Sequence, residues 1–263
     1  MSLHRRDFIQ LGTAASLLTA LGLPARGADT PTVGLIFPPA NYPMPPDAGR
    51  LYPSGVQFIG NGLGFNGMTI ESYEEAIPRA MPRAQELAAQ GANLISVFGS
   101  SITFYKGAAF NDELTKKVTA LTGLPATTQS NGLIDGLKHV NARRVAVATA
   151  YTDIVTERLE IFLTEHGFEV MATKGLGYER VPEGGGTPEI LHQLGVDAYA
   201  AAGKPDALVL SCGGLRTLDV IVPLESAIGV PVVSSTPHGL WHCARMLGVT
   251  HRIDGFGMVM AAA

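Results

Sequence analysis

The sequence predicts an α/β protein of two pseudo-twofold-related lobes, each a mostly parallel sheet flanked by helices, with the active site in the cleft between them. Three observations carry this prediction. Short apolar runs recur in the same order in both halves, at offsets of 112, 113 and 106 residues. Each run is bounded by turn residues, as in strands buried on both faces. Amphipathic segments lie between the runs, and strand–helix alternation makes parallel sheets with right-handed crossovers.

Taken in order, Thr32–Pro38 pairs with Arg144–Ala150, Gly91–Ser101 with Lys204–Gly214, and Gly123–Thr128 with Gly229–Ser234. Such internal repetition is the signature of a duplicated unit. Of the helices, Glu71–Gln90 must be kinked or delayed by Pro78 and Pro82. Asn111–Leu121 starts on a capping asparagine and stops before Gly123, Thr152–Leu163 is capped by Thr152, and Thr187-Pro188 opens another. His238–Leu247 reads as a helix carrying Cys243. The expected division is residues 1–28 as an export signal, 29–140 plus 236–263 as the first lobe, and 141–235 as the second.

The first 28 residues stand apart. Arg5-Arg6 precedes Phe8, an uncharged stretch runs from Leu11 to Pro24, and small residues follow at Ala25, Gly27 and Ala28. That order is an export signal of the twin-arginine type, implying the Tat translocase as a partner and the periplasm as destination. An ordinary amphipathic helix is the competing reading. Removing the segment takes away Arg5, Arg6 and Arg26 against the single acid Asp7, leaving a more acidic chain. The whole has a formal net charge of −4, with 46% hydrophobic and 16% charged residues, which argues against a general nucleic-acid binder. Membrane contact is expected only through the signal.

Ligands bind at the carboxyl ends of strands in open α/β sheets, and Gly99 and Cys212 fall there at equivalent positions of the repeat. One half offers Gly99-Ser100-Ser101, the other Cys212-Gly213-Gly214. A two-cysteine version would donate a proton from one side and take one from the other. This chain has only the Cys212 side. Cys212 also fits an inert buried thiol, and a bridge to Cys243 lacks support. Gly60-Asn61-Gly62-Leu63-Gly64 has the wrong spacing for a dinucleotide loop. His238 and His242 share a helix face but lack a third ligand nearby, so they read as surface or supporting residues.

With Gly34-x-x-x-Pro38-Pro39, Arg50-Leu-Tyr-Pro53, Gly99–Asn111, Ala148–Tyr151, Leu210–Leu215, Thr217–Asp219 and Gly229–Ser235, the mature chain resembles the aspartate/glutamate racemase superfamily. Within it, the chain is similar to the arylmalonate decarboxylases, which have glycine where Gly99 stands, whereas the racemases and maleate isomerases have cysteine at both positions. The resemblance implies a carboxy-lyase that needs no cofactor or metal and acts on a small dicarboxylate, an aryl- or alkenyl-substituted malonate. Cys212 would be the catalytic proton donor to an enediolate. Ser100, Ser101, Tyr151 and the backbone at Gly99 and Gly213 would form a dioxyanion hole, and Pro38, Phe65 and Met68 an apolar pocket. Two departures accompany it: the pattern has threonine where Ser100 stands, and Phe65 and Met68 add bulk. A racemase or cis–trans isomerase, or a non-catalytic exported carboxylate binder, are the alternatives.

Overall fold

A computed structural model of the protein describes residues 30–262 except 42 and 66. The expected export signal lies outside the described residues. In chain order the first half contains β1 (Thr32–Phe37), α1 (Pro46–Leu51), β2 (Gln57–Gly62), α2 (Ile70–Ala76) and α3 (Ala80–Ala89). It continues with β3 (Leu94–Val97), α4 (Ser100–Phe104), α5 (Gly107–Thr122), β4 (Ala126–Thr128) and α6 (Gln129–His139). The second half contains β5 (Arg144–Tyr151), α7 (Asp153–Glu165), β6 (Glu169–Tyr178), α8 (Pro188–Ala202) and β7 (Ala207–Ser211). After it come α9 (Leu218–Ile228), β8 (Val232–Ser234), α10 (Ser235–Met246) and α11 (Met258–Ala261).

Two four-stranded sheets result, ordered β2-β1-β3-β4 and β6-β5-β7-β8, every pairing parallel. The three repeated runs are thus β1/β5, β3/β7 and β4/β8, and the fold is the duplicated α/β architecture the offsets predict. The central strands β3 and β7 are buried throughout, because helices cover both faces and leave no place for an alternating polar pattern. Helices α6 and α10 pack against each other at Gly132 and Gly239. A Cβ on Gly132 would come within 2.7 Å of the Gly239 Cα, so these helices touch through bare backbone.

Several local expectations are corrected. The proline-bearing segment splits into α2, a 3₁₀ turn at Ile77–Arg79, and α3, since each proline removes a helical donor. Helix α5 begins four residues before Asn111 because Glu165 of α7 accepts from the Ala108 amide at 2.6 Å, capping it from the other half. Asn111 is instead buried inside the helix, accepting from Thr128 at 2.7 Å. Thr152 occupies the cap position of α7 without a side-chain bond, whereas Thr187 caps α8 through the Ile190 amide. The glycines at 60 and 62 belong to edge strand β2, and Gly62 is needed there: a Cβ would lie 2.0 Å from the Pro39 carbonyl oxygen.

Candidate active site

The carboxyl ends of both sheets border a cavity of about 390 Å³. Gly99, Ser100 and Ser101 reach it from the first sheet, Cys212 and Gly213 from the second, and Pro38, Phe65 and Met68 from the loops after β1 and β2. Of the residues that the family resemblance assigns to the site, Tyr151 alone does not line it. Tyr151 stands behind that wall, 1% exposed, its hydroxyl 2.9 Å from the Ser100 hydroxyl.

The two repeat-equivalent segments end differently. Gly99 directly precedes α4, which opens at Ser100, so the Ser100 and Ser101 amides sit in a first turn where no intrahelical acceptor exists. After Cys212 a helix directly following Gly214 is the natural extrapolation of the repeat, but the chain makes a turn, with Leu215 N–H donating to the Cys212 carbonyl at 3.2 Å. Helix α9 starts only at Leu218. Two consecutive glycines are costly in a helix, and the turn they allow aims the Gly214 and Leu215 amides at the Cys212 sulfur.

Cys212 is 2% exposed, and both it and Cys243 are free thiols. Burial pushes the Cys212 thiol up to about 11, against those amides and the Tyr151 hydroxyl, which favour the thiolate. Its sulfur is 3.8 Å from the Met68 sulfur, so one face of the thiol meets the apolar wall. Below about pH 11 the group is a thiol, the form that donates a proton. Alkylation by iodoacetamide follows the thiolate fraction, so Cys212 should react slowly at about pH 8.5, where an ordinary thiol is half ionised. Rapid modification of Cys212 at that pH, read by mass spectrometry, would contradict the assignment.

Behind Ser100 the structure holds a closed ring of four buried hydroxyls. Ser100 is 2.9 Å from Tyr151, Tyr151 is 3.3 Å from Ser211, Ser211 is 3.2 Å from Ser235, and Ser235 donates back to Ser100 at 3.2 Å. Phe104 packs edge-on against the Tyr151 ring at 5.7 Å and fixes its direction. Tyr151 is held neutral, its pKa well above the ordinary value, first by burial and then by the Cys212 charge that would form beside it.

Several cavity residues went unnoticed in the sequence: Glu179, Arg180 and Val181 from the loop after β6, and Thr236 from α10. Tyr73 is buried and stacks on Phe65 at 5.3 Å. Gln129, also buried, donates to Thr236 at 3.2 Å, and its side-chain oxygen would lie 2.9 Å from a Cβ on Gly213. A side chain at 213 would therefore have to displace the end of Gln129. Among the described residues no group of three His, Cys, Asp or Glu is placed to hold a metal ion. His238 is fully buried rather than on the surface, accepting from the Ser234 amide at 2.8 Å, and burial pushes its pKa down to about 4. His242 bonds Thr127 and Asp135 instead, at 2.9 and 3.0 Å.

Comparison with known proteins places this geometry. A family model described as arylmalonate decarboxylase matches residues 33–260. The chain belongs to the arylmalonate decarboxylase family. It is 45% identical over 222 residues to the arylmalonate decarboxylase of Bordetella bronchiseptica, covering 84% of this chain and 92% of that one. The solved structure of unliganded arylmalonate decarboxylase is similar at a TM-score of 0.81 and 42% identity, over 89% of this chain and 100% of that one. The maleate isomerase of Pseudomonas putida S16 shares the fold at a TM-score of 0.79 and 22% identity, over 88% of this chain and 98% of that one. Membership makes the chain a carboxy-lyase of the decarboxylase branch, related to the maleate isomerases.

Proposed function

We propose that the protein decarboxylates aryl- or alkenyl-substituted malonates without a cofactor, through an enediolate that Cys212 protonates. The observation that carries this reading is the lone buried thiol, held in its neutral form, in a cavity shared with Ser100 and Ser101. One substrate carboxylate is retained at the Ser100 and Ser101 hydroxyls and nearby amides. The other faces Pro38, Phe65 and Met68, an apolar surface that favours neutral CO2 over a carboxylate.

Breaking the carbon–carboxylate bond leaves its electron pair on the α-carbon, delocalised into the retained carboxylate as an enediolate. An aryl or vinyl group spreads that charge further. The thiol then gives its proton to the α-carbon, and the resulting thiolate recovers one from water. A thiol titrating near 11 suits both halves of this cycle, since it rests protonated and its thiolate is basic enough to reload.

The test is CO2 release from phenylmalonate by the purified protein, with alkylmalonates as the comparison. Turnover of the aryl compound alone is expected. Tight carboxylate binding with no turnover of either would favour the carboxylate-binding alternative.

Gly99 bears on stereochemistry. Its backbone is extended, φ −155°, so a side chain is conformationally allowed, but a Cβ would lie 2.5 Å from the Pro38 Cγ. Gly99→Cys should therefore slow turnover while adding a second proton donor on the other side. With methylphenylmalonate as substrate, loss of enantiomeric excess in the product, read by chiral chromatography, is the expected result; an unchanged excess would sink this assignment of faces.

We also propose export to the periplasm through the Arg5-Arg6 signal and the Tat translocase. Replacing both arginines by lysine should retain the protein in the cytoplasmic fraction of a bacterial host. Unaltered export would remove the proposal.

A further inference from the structure

Two sulfurs meet in the cavity wall. The Cys212 S–H points at Met68 Sδ, 3.8 Å away, and the two residues come from opposite halves of the chain. Both line the cavity, and Met68 is the one methionine among those described that does so. Main chain fixes its place: the Met68 amide donates to the Glu179 carbonyl at 2.7 Å, tying the loop after β2 to the loop after β6. Met68 is only partly buried, whereas Cys212 is 2% exposed.

The two sulfurs differ in how they meet an oxidant. A thiol reacts with peroxide as its thiolate, and burial holds Cys212 in the neutral form with a pKa of about 11. At pH 7 only about one Cys212 in 10⁴ is then ionised. A thioether has no proton to lose, so its lone pairs are available at any pH. Of the pair, Met68 is therefore the sulfur open to oxidation.

Its product changes the wall. Peroxide passes one oxygen atom to Sδ: the O–O bond breaks, an S–O bond forms, the sulfur gives up two electrons and water leaves. A flexible apolar side chain becomes a polar one. Thioether sulfur accepts hydrogen bonds weakly, but the sulfoxide oxygen accepts them strongly. That oxygen would stand beside the Cys212 S–H, in the surface otherwise made by Pro38 and Phe65.

We infer that Met68 is a modification site for peroxides, at which the sulfoxide ties down the Cys212 hydrogen and reversibly suppresses turnover. The effect on turnover rests on the decarboxylation reading, in which that hydrogen passes to the α-carbon. Reversal follows from the chemistry, since sulfoxide reductases return methionine sulfoxide to the thioether.

The experiment treats the purified protein with hydrogen peroxide at pH 7. It follows CO2 release from phenylmalonate together with the oxygen gained by each peptide in mass spectrometry. Full conversion of Met68 should lower kcat about tenfold, the worth of one hydrogen bond that the thiol must break first. Met171, Met246 and Met258 are exposed and oxidise in the same reaction. Met68→Leu keeps those three, and should lose less than about twofold of its own untreated kcat, the ordinary error of additivity. Should Met68→Leu fold poorly, the time course on the unaltered protein decides alone. Its loss should follow the Met68 peptide, and methionine sulfoxide reductase should reverse it where a thiol reductant does not. An equal fractional loss in Met68→Leu, or a loss that follows oxygen on the Cys212 peptide, overturns the inference while leaving the decarboxylase reading intact. An untreated protein that releases no CO2 from phenylmalonate overturns that reading and this inference with it.

Discussion

Replacing Cys212 with alanine should lower kcat for phenylmalonate by roughly 10³-fold, the middle of the range for losing a general acid. The cavity keeps its hydroxyls and amides in this variant, so KM should move far less than kcat. The loss is expected because Cys212 is the thiol that faces the cavity. On the proposed reading Ser100 would be engaged with the retained carboxylate; Tyr151 lies behind the cavity wall, and Cys243 is buried within α10 at a pKa raised to about 12 by burial. Near-normal turnover by Cys212→Ala in a CO2-release assay would mean that solvent protonates the intermediate.

Ser100→Ala carries the second large effect. Its hydroxyl is the point where the buried ring meets the cavity, so its loss would, on the proposed reading, remove one donor to the enediolate, and it strands the Tyr151 and Ser235 hydroxyls facing a methyl group. Losing one preorganised donor costs about 10²–10³ in kcat in acyl-transfer enzymes, and a comparable fall is expected here. Ser100→Thr keeps the oxygen and restores the residue of the family pattern, so it should retain most of the activity. A Ser100→Thr variant as impaired as Ser100→Ala, with an unchanged melting temperature, would argue that the Ser100 hydroxyl is not the donor.

The repeat made the fold readable because buried parallel strands have a plain signature. β1, β3, β5 and β7 are apolar or β-branched runs closed by turn residues, and their pairwise offsets reveal two copies of one unit. The same pairing set Gly99 against Cys212, and both line one cavity. Edge strands were harder to see. β2 contains Gly60 and Gly62, and β6 contains Gly175 and Gly177, so glycine masks their extended backbone. The loop at Glu179–Val181 has no motif of its own and enters the site only because β6 ends beside it.

The hydroxyl ring lies beyond sequence pattern for another reason. Ser211 and Ser235 sit within quoted motifs, next to Cys212 and at the end of Gly229–Ser235, yet serine there satisfies a strand end equally well. What distinguishes them is the convergence of four chain segments separated by up to 135 residues, which only the packed sheets display. The start of α9 shows the limit of the repeat itself. Gly213 and Gly214 have Ser100 and Ser101 as counterparts, and that replacement turns a helix start into a turn that brings two amides to the sulfur.

The most direct measurement is decarboxylation of methylphenylmalonate in heavy water, followed by chiral and mass analysis of the acid formed. A fixed sulfhydryl delivering hydrogen from one side predicts a single mirror form bearing one deuterium on its α-carbon. An equal mixture of both forms would mean that the carbanion leaves the thiol's reach before it is quenched, and would contradict the role given to Cys212.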